Sequence, residues 1–301
     1  MKRILFFCAA VAALVLSASC NKGGGSGSGT ASGSEVVIPA AKYSAEAKKL
    51  ILPESDSSNP GIKSIEFTES GRYIICRQVF TGPLGPLAVK AETPLQYIHG
   101  TYTVKDNVYN LNGFGTVTVV PGQININTIE GDNINITYTE GDKYPSNQFF
   151  TTLARAWKVD KTDISVKFDG SSAVGVVKTG CDIPAILKEL EQKANVDLKD
   201  EELTGYIVKE INFTLSKTME VVFTGRDPIA GPISISENGD VAYELSGSSG
   251  VEVLSGKANG KFNLNPGLGS NQIMLSLDTE VTTKSGKTYK GTVSFILSPA
   301  A

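Results

Sequence analysis

From Val36 onward the chain repeats one pattern, short runs in which apolar and polar residues alternate, broken by glycine, asparagine and aspartate. A side-chain period of two sends neighbouring residues to opposite faces of an extended strand, so each run can bury one face and wet the other. GIKSIEFTES, GRYIICRQVF and TVTVV read as strands. GQININTIEGDNINITYTE reads as a hairpin: Ile124 and Ile126 share a face, as do Ile134, Ile136 and Tyr138, and Gly131-Asp132 supplies the turn. VKEINFTL, MEVVFTG, PISISENGDVAYEL and NQIMLSLDTEVTTKSGKTYKGTVSFIL continue the theme, with turns at Asn238-Gly239 and Ser285-Gly286. The expected fold class is mainly β, built as antiparallel meanders.

Two short helices are expected to interrupt the strands. Ser44 can cap one through AEAKKLIL, which Pro53 would end. The second starts from Asp182 as N-cap and runs near 183–194, where Ile183, Ile186, Leu187 and Leu190 form one apolar face. Pro184 in its first turn costs little, because the N–H it lacks has no helical partner there.

The two halves look related. A short helix, then Ile65-Glu66-Phe67-Thr68, a turn and a strand parallels a helix, then Ile211-Asn212-Phe213-Thr214, a turn and a strand. This predicts a tandem of related β domains, 35–145 and 146–301, joined near 142–146 where Gly141, Pro145 and polar residues cluster. A chain of 301 residues is long enough for two such cores.

The N-terminus carries different information. Lys2 and Arg3 precede an uncharged apolar run from Ile4 to Leu16, too short for a permanent membrane span and suited to a signal peptide over 1–19. Ser17, Ala18 and Ser19 then lead into Cys20. This resembles the lipobox of bacterial lipoproteins, which implies a diacylglyceryl group on the Cys20 thiol and cleavage just before it. Ser17 stands where that pattern usually has Leu. Ordinary secretory cleavage at the same small residues is the alternative. Residues 20–34 continue as a Gly/Ser tether with no apolar content, with a reach on the order of 20 Å. In lipoproteins of the Bacteroidales type an acidic run just after the cysteine accompanies display on the cell surface; here Asn21 follows and no acidic run does, so that resemblance implies the periplasmic face of the outer membrane.

Composition removes several function classes. The net charge is −3 with no block of Lys or Arg, so the footprint of a nucleic-acid binder is missing. His99 is the single histidine, which leaves little room for triads or histidine metal sites. Of four cysteines, Cys8 falls in the signal segment and Cys20 in the lipobox. Cys76 and Cys181 remain, either as a disulfide permitted by export or as two separate buried thiols. No metal site and no cofactor are expected. Gly-x-Ser-x-Gly, the P-loop and the H-E-x-x-H helix are all missing from the sequence. His99 is expected to be structural.

Two residue groups could contact a ligand. Trp157, the single Trp, could floor an apolar pocket or seal a barrel end. Asn125, Asn127, Asn133, Asn135 and Thr137 fall on one hairpin face, either as a solvated surface or as hydrogen-bonding partners for carbohydrate hydroxyls.

The run Leu153-Ala154-Arg155-Ala156-Trp157-Lys158-Val159 is similar to the first strand of calycin or lipocalin-like domains, where G-x-W begins the barrel; Arg155 stands at the Gly position. With GCDI ahead of a helix and the I-x-F-T meander, residues 147–301 resemble lipocalin-like lipoproteins of the Bacteroidales type. The resemblance implies a β-barrel or open half-barrel and brings no activity with it. The expected function is a non-catalytic binding module, moored to the outer membrane by its N-terminal lipid, for an apolar small molecule or an envelope protein. A fimbrial-type subunit donating the strand YKGTVSFILSPAA is the alternative, and an enzyme ranks third.

Overall fold

The described residues between 48 and 140 contain nine strands: β1 (Lys48–Ile51), β2 (Ile62–Phe67), β3 (Arg72–Gln78), β4 (Leu95–Lys105), β5 (Val108–Leu111), β6 (Gly115–Val120), β7 (Gln123–Thr128), β8 (Asn133–Thr137) and β9 (Thr139–Glu140). Each pairs antiparallel with its sequence neighbour from β1 to β8. β9 continues β8 past Tyr138 and pairs with β1, Leu50 opposite Glu140. The sheet therefore closes on itself, with β8 and β9 acting as one strand. The computed structural model describes residues 47–53, 59, 61–78, 95–141, 152–169, 172–198, 203–247, 256–263 and 271–300. The expected signal segment, Cys20, the tether, Ser44 and the 142–146 junction lie outside the described residues.

The second sheet holds β10 (Ala156–Val166), β11 (Val174–Thr179), β12 (Cys181–Asp182), β13 (Ile207–Phe213), β14 (Thr218–Phe223), β15 (Ile229–Ile235), β16 (Asp240–Gly247), β17 (Gly256–Asn263), β18 (Ile273–Thr282) and β19 (Thr288–Pro299). Strands β13 to β19 form a meander, and β10 pairs with both its ends: Trp157 lies opposite Ile211 of β13 and Pro299 of β19. This ring also closes. Both rings share one plan: a first strand, the I-x-F-T hairpin, a meander, and a last strand paired with the first. Closure pairs the end strands of each meander with the first strand of its ring instead of leaving them open. The terminal strand expected as a donor is engaged on both sides, by β10 and β18.

The repeat reaches atomic detail in the two hairpins. Thr68 N donates to Arg72 O at 2.8 Å, and Arg72 N donates to Thr68 Oγ1 at 3.1 Å. In the second barrel Thr214 N donates to Thr218 O at 3.0 Å, and Thr218 N donates to Thr214 Oγ1 at 3.2 Å. A hydroxyl at this position caps the turn from inside, which gives the shared threonine its physical purpose.

Among the described residues the second barrel carries an insertion between its first two strands, comprising β11, β12 and α1 (Ile183–Ala194). Asp182 caps α1 by accepting from Ala185 N at 3.0 Å, and Ile183, Ile186, Leu187 and Leu190 are its buried face. The expected first helix is corrected: Lys48–Ile51 is strand β1. Its helix-favouring composition is overridden because Leu50, fully buried, fills the first barrel core while its backbone supplies the closing pairs. Residues 152–153 are helical, so the Trp157 strand begins at Ala156 and not at Leu153.

Apolar side chains from each ring gather inside it. Leu50, Ile65, Phe67, Ile75, Ile124 and Ile126 are among those in the first core, and Trp157, Phe213, Leu275 and Leu297 among those in the second. β4 bridges two parts of the first ring, pairing with β3 through Thr101 and with β5 from Tyr102. Gly100 sits at that handover. A Cβ there would lie 2.5 Å from the Tyr73 ring and 2.8 Å from Asn112 O, the atom that accepts the Tyr73 hydroxyl. We therefore expect Gly100→Ala to destabilise the protein by about 1–3 kcal/mol through overpacking. A melting temperature equal to that of wild type would show that the contact can relax.

Candidate functional site

The turn residues of the first barrel build a mouth at one end. The β5–β6 turn carries Gly113 at φ +80° and Phe114, and the β7–β8 turn carries Ile129 and Glu130. Ile129 N donates to Phe114 O at 2.9 Å and ties the two turns together. Thr128 Oγ1 donates to Asp132 Oδ2 at 3.2 Å and accepts from Asp132 N at 3.0 Å, which fixes the second turn. Beneath them Ile62, Ile75, Ile98 and Ile134 floor a pocket of about 210 Å³. Arg77, Glu130 and Asp132 stand around it, and Ile129 is 73% exposed beside it.

This arrangement has a definite chemistry. An apolar floor holds hydrocarbon or a ring, and a cavity of about 150 Å³ suffices for benzene. One guanidinium and two carboxylates at the rim can hydrogen-bond a polar or zwitterionic head. Arg77 is already oriented, its Nε donating to Gln96 Oε1 at 3.0 Å.

A second cluster joins the barrels. The outer faces of β2–β4 meet those of β13–β15, the equivalent strands of the repeat. Glu220 of β14 is fully buried there. Arg72 grips its carboxylate through Nε at 2.8 Å and Nη2 at 2.9 Å. His99 Nδ1 lies 3.0 Å from Oε1, and Asn212 Nδ2 donates to Oε2 at 2.8 Å. Burial alone would lift the Glu220 carboxyl; the His99 and Arg72 contacts outweigh it and hold the group below its usual range. Beside it Thr218 Oγ1 donates to Glu66 Oε2 at 2.7 Å, and Ile74, Tyr97 and Ala230 form a small apolar seal. His99 Nε2, Glu66 Oε1 and Asn212 Oδ1 are buried and unpartnered, so the junction holds more hydrogen-bonding capacity than it uses.

The residues singled out from the sequence are scattered. Trp157 is fully buried where β10 meets β13 and β19, its indole N–H donating to Leu153 O at 2.9 Å, with Arg155 stacked 5.7 Å from the ring. There it fills the closing seam. Cys76 faces outward from the first barrel and Cys181 is buried in the second; both are free thiols. Burial pushes the Cys181 thiol up to about 12, Thr162 partly offsetting it, and raises Cys76 as well. His99 is in the junction, its side chain 2% exposed. The asparagines lie on the outer face of β7 and β8 and are not among the residues lining the pocket. Among the described residues no three His, Cys, Asp or Glu side chains converge as metal ligands, and no helix is long and apolar enough to cross a membrane.

Sequence reasoning missed both clusters. Glu220 did leave a signal: it is the one charged residue in TMEVVF, a run with apolar neighbours on both faces. The mouth left none, since five separate segments assemble it. No family model, curated protein or solved structure matches this chain, so functional statements rest on its geometry.

Glu220 makes the junction acid-sensitive. Its folded pKa lies below the ordinary value of 4.5, so its stabilisation is complete above that value and is lost as pH falls through the folded pKa. Glu220→Gln leaves Arg72 without its counter-ion, and breaking a buried pair in this way costs about 3–5 kcal/mol. In urea unfolding the gap between wild type and variant should be full at neutral pH and narrow as the solution is acidified below 4.5. A gap independent of pH would remove the carboxylate from the account.

Proposed function

We propose that this chain is a membrane-moored, non-catalytic binding module whose first barrel takes a small amphiphile at its mouth. The observation that carries the reading is the pocket of about 210 Å³, with isoleucine below and Arg77, Glu130 and Asp132 around the entrance. Small-molecule sites favour this combination of a largely apolar wall and a few placed polar groups, and the mouths of β-barrels are a frequent location for them. A neutral head with hydroxyls, or one pairing an amine with an acid, fits the mixed charges at the rim.

The closed up-and-down order of each ring supports the likeness to lipocalin-like domains, whose eight-stranded barrels follow the same plan. The location differs from the expectation formed around Trp157: the pocket belongs to the first barrel, and Trp157 packs in the second. The non-catalytic reading is supported by His99, the chain's single histidine, which is occupied by Glu220 and enclosed between the barrels.

Mooring follows from the N-terminal pattern. The apolar run to Leu16, Cys20 and the Gly/Ser tether suit a lipoprotein at the periplasmic face of the outer membrane, where two or three acyl chains give stable attachment.

Two measurements check this. N-phenyl-1-naphthylamine, a neutral apolar fluorophore, should brighten on mixing with the protein, and Ile98→Trp, which fills the floor, should weaken its binding at least tenfold while the melting curve stays cooperative. Undiminished binding by that variant would place the probe elsewhere. Separately, Cys20→Ala should move the protein from the membrane fraction to the soluble fraction and abolish palmitate labelling. A variant that stayed with the membranes would end the lipoprotein reading.

A further inference from the structure

The outer face of β5–β8 has an unusual surface. Each strand there buries alternate apolar residues and turns mostly amides and hydroxyls outward, with Val108 and Val120 as the apolar exceptions. Asn110, Thr116, Asn127 and Asn133 form one cross-strand row, and Val108, Thr118, Asn125 and Asn135 form the next. No outward position on these four strands is charged. Surfaces of small domains ordinarily carry charged residues at about a quarter to a third of positions.

The second barrel serves as an internal control. Its β16–β19 occupy the equivalent place in the ring, and their outward positions include Asp240, Glu244, Lys261, Asp278, Glu280 and Lys290. The same architecture therefore does not require a neutral face. Asparagine is also among the residues depleted from strands, so four of them on one hairpin work against local propensity. A local rule broken without a folding benefit points toward function.

The amides are organised. Asn125 Nδ2 donates to Asn133 Oδ1 at 3.1 Å, Asn133 Nδ2 to Asn127 Oδ1 at 2.6 Å, and Asn127 Nδ2 to Asn125 Oδ1 at 2.7 Å. This closed ring uses one donor and one acceptor of each side chain. Every amide has two N–H groups and two lone pairs, so each retains one of both. The ring thus fixes three amides in place and leaves each able to give and accept a further hydrogen bond.

We infer that this face binds a neutral polysaccharide. A sugar hydroxyl is also both donor and acceptor, and an uncharged glycan has no ionic partner to seek. Phosphate-bearing and anionic polymers are disfavoured because β5–β8 turn no cation outward; Lys105 of β4 stands only at the far end of the second row, beyond Val108. A protein partner would normally meet an apolar, aromatic-rich centre, whereas here the centre is amide and hydroxyl. With no aromatic ring among its outward residues to stack on a sugar, each contact is weak, and binding is gained by repetition along the two rows as a polymer engages several of them together. The site lies on the outer face of strands whose ends reach the barrel mouth, and it does not depend on the amphiphile reading.

The test is affinity electrophoresis of the full detergent-extracted chain in native gels cast with yeast mannan, arabinoxylan or mixed-linkage β-glucan, with polygalacturonate as the anionic comparison. At least one neutral polymer should retard the protein, polygalacturonate should not, and free monosaccharide should compete poorly. Combined Asn125→Ala, Asn127→Ala and Asn133→Ala should raise the apparent Kd at least tenfold. Thr118→Lys, a single exposed-face change outside the ring, should weaken retention in the same direction and guards against misfolding of the triple variant. Ser276→Ala with Thr292→Ala on the second barrel should leave it unchanged. The proposal is overturned if no neutral polymer retards the wild type, or if the ring variants are retained as well as it is. It is equally overturned if the face instead pairs two copies, shown by dimers in light scattering that the triple variant abolishes.

Discussion

Ring closure is the constraint on which the rest of this structure depends. β1 offers only four residues, yet it pairs with β2 on one side and β9 on the other. β10 does the equivalent in the second ring, touching β13 and β19 near Trp157. Once closed, each ring has an inside and an outside, and every strand's alternation acquires a meaning. Inward residues build a core, outward residues meet water or the other barrel, and the turns gather at two ends. A mouth and a neutral face are both products of that sorting.

The two rings join through a polar centre, an arrangement that favours orientation over adhesion. Burying a carboxylate is costly, and the bidentate Arg72 grip with His99 and Asn212 offsets the cost only in one alignment. An apolar contact between curved sheets could slide, whereas this one cannot without stranding Glu220. The strands that meet across the junction hold equivalent places in the two rings, β3 carrying Arg72 and β14 carrying Glu220. The two rings differ in that the second carries α1 and has charged residues on the face that is neutral in the first.

Local features were legible in the sequence. The period-two runs, the hairpin glycines Gly131, Gly239 and Gly286 with their positive φ, and the Asp182 cap all depend on neighbours in the chain. The I-x-F-T echo was legible because a turn hydroxyl is a local device. Strand β1 was not: KKLI has no alternation long enough to read, and its partners lie elsewhere. The junction was hidden by distance, with 148 residues between Arg72 and Glu220 and 121 between His99 and Glu220. The mouth was hidden for the same reason. The asparagine face was visible as a pattern, and its neutrality gained weight only against the charged counterpart on the second barrel.

Amide hydrogen exchange measured residue by residue tests closure most directly. Gly141 N donates to Lys49 O at 2.7 Å, and Leu52 N to Lys63 O at 3.0 Å, so these amides report on the two sides of β1. Closure predicts that both exchange as slowly as amides within the β3–β4 pair. Exchange of the Gly141 and Leu52 amides at the rate of an unstructured chain, with β3–β4 still protected, would mean an open sheet and would remove the basis for the mouth.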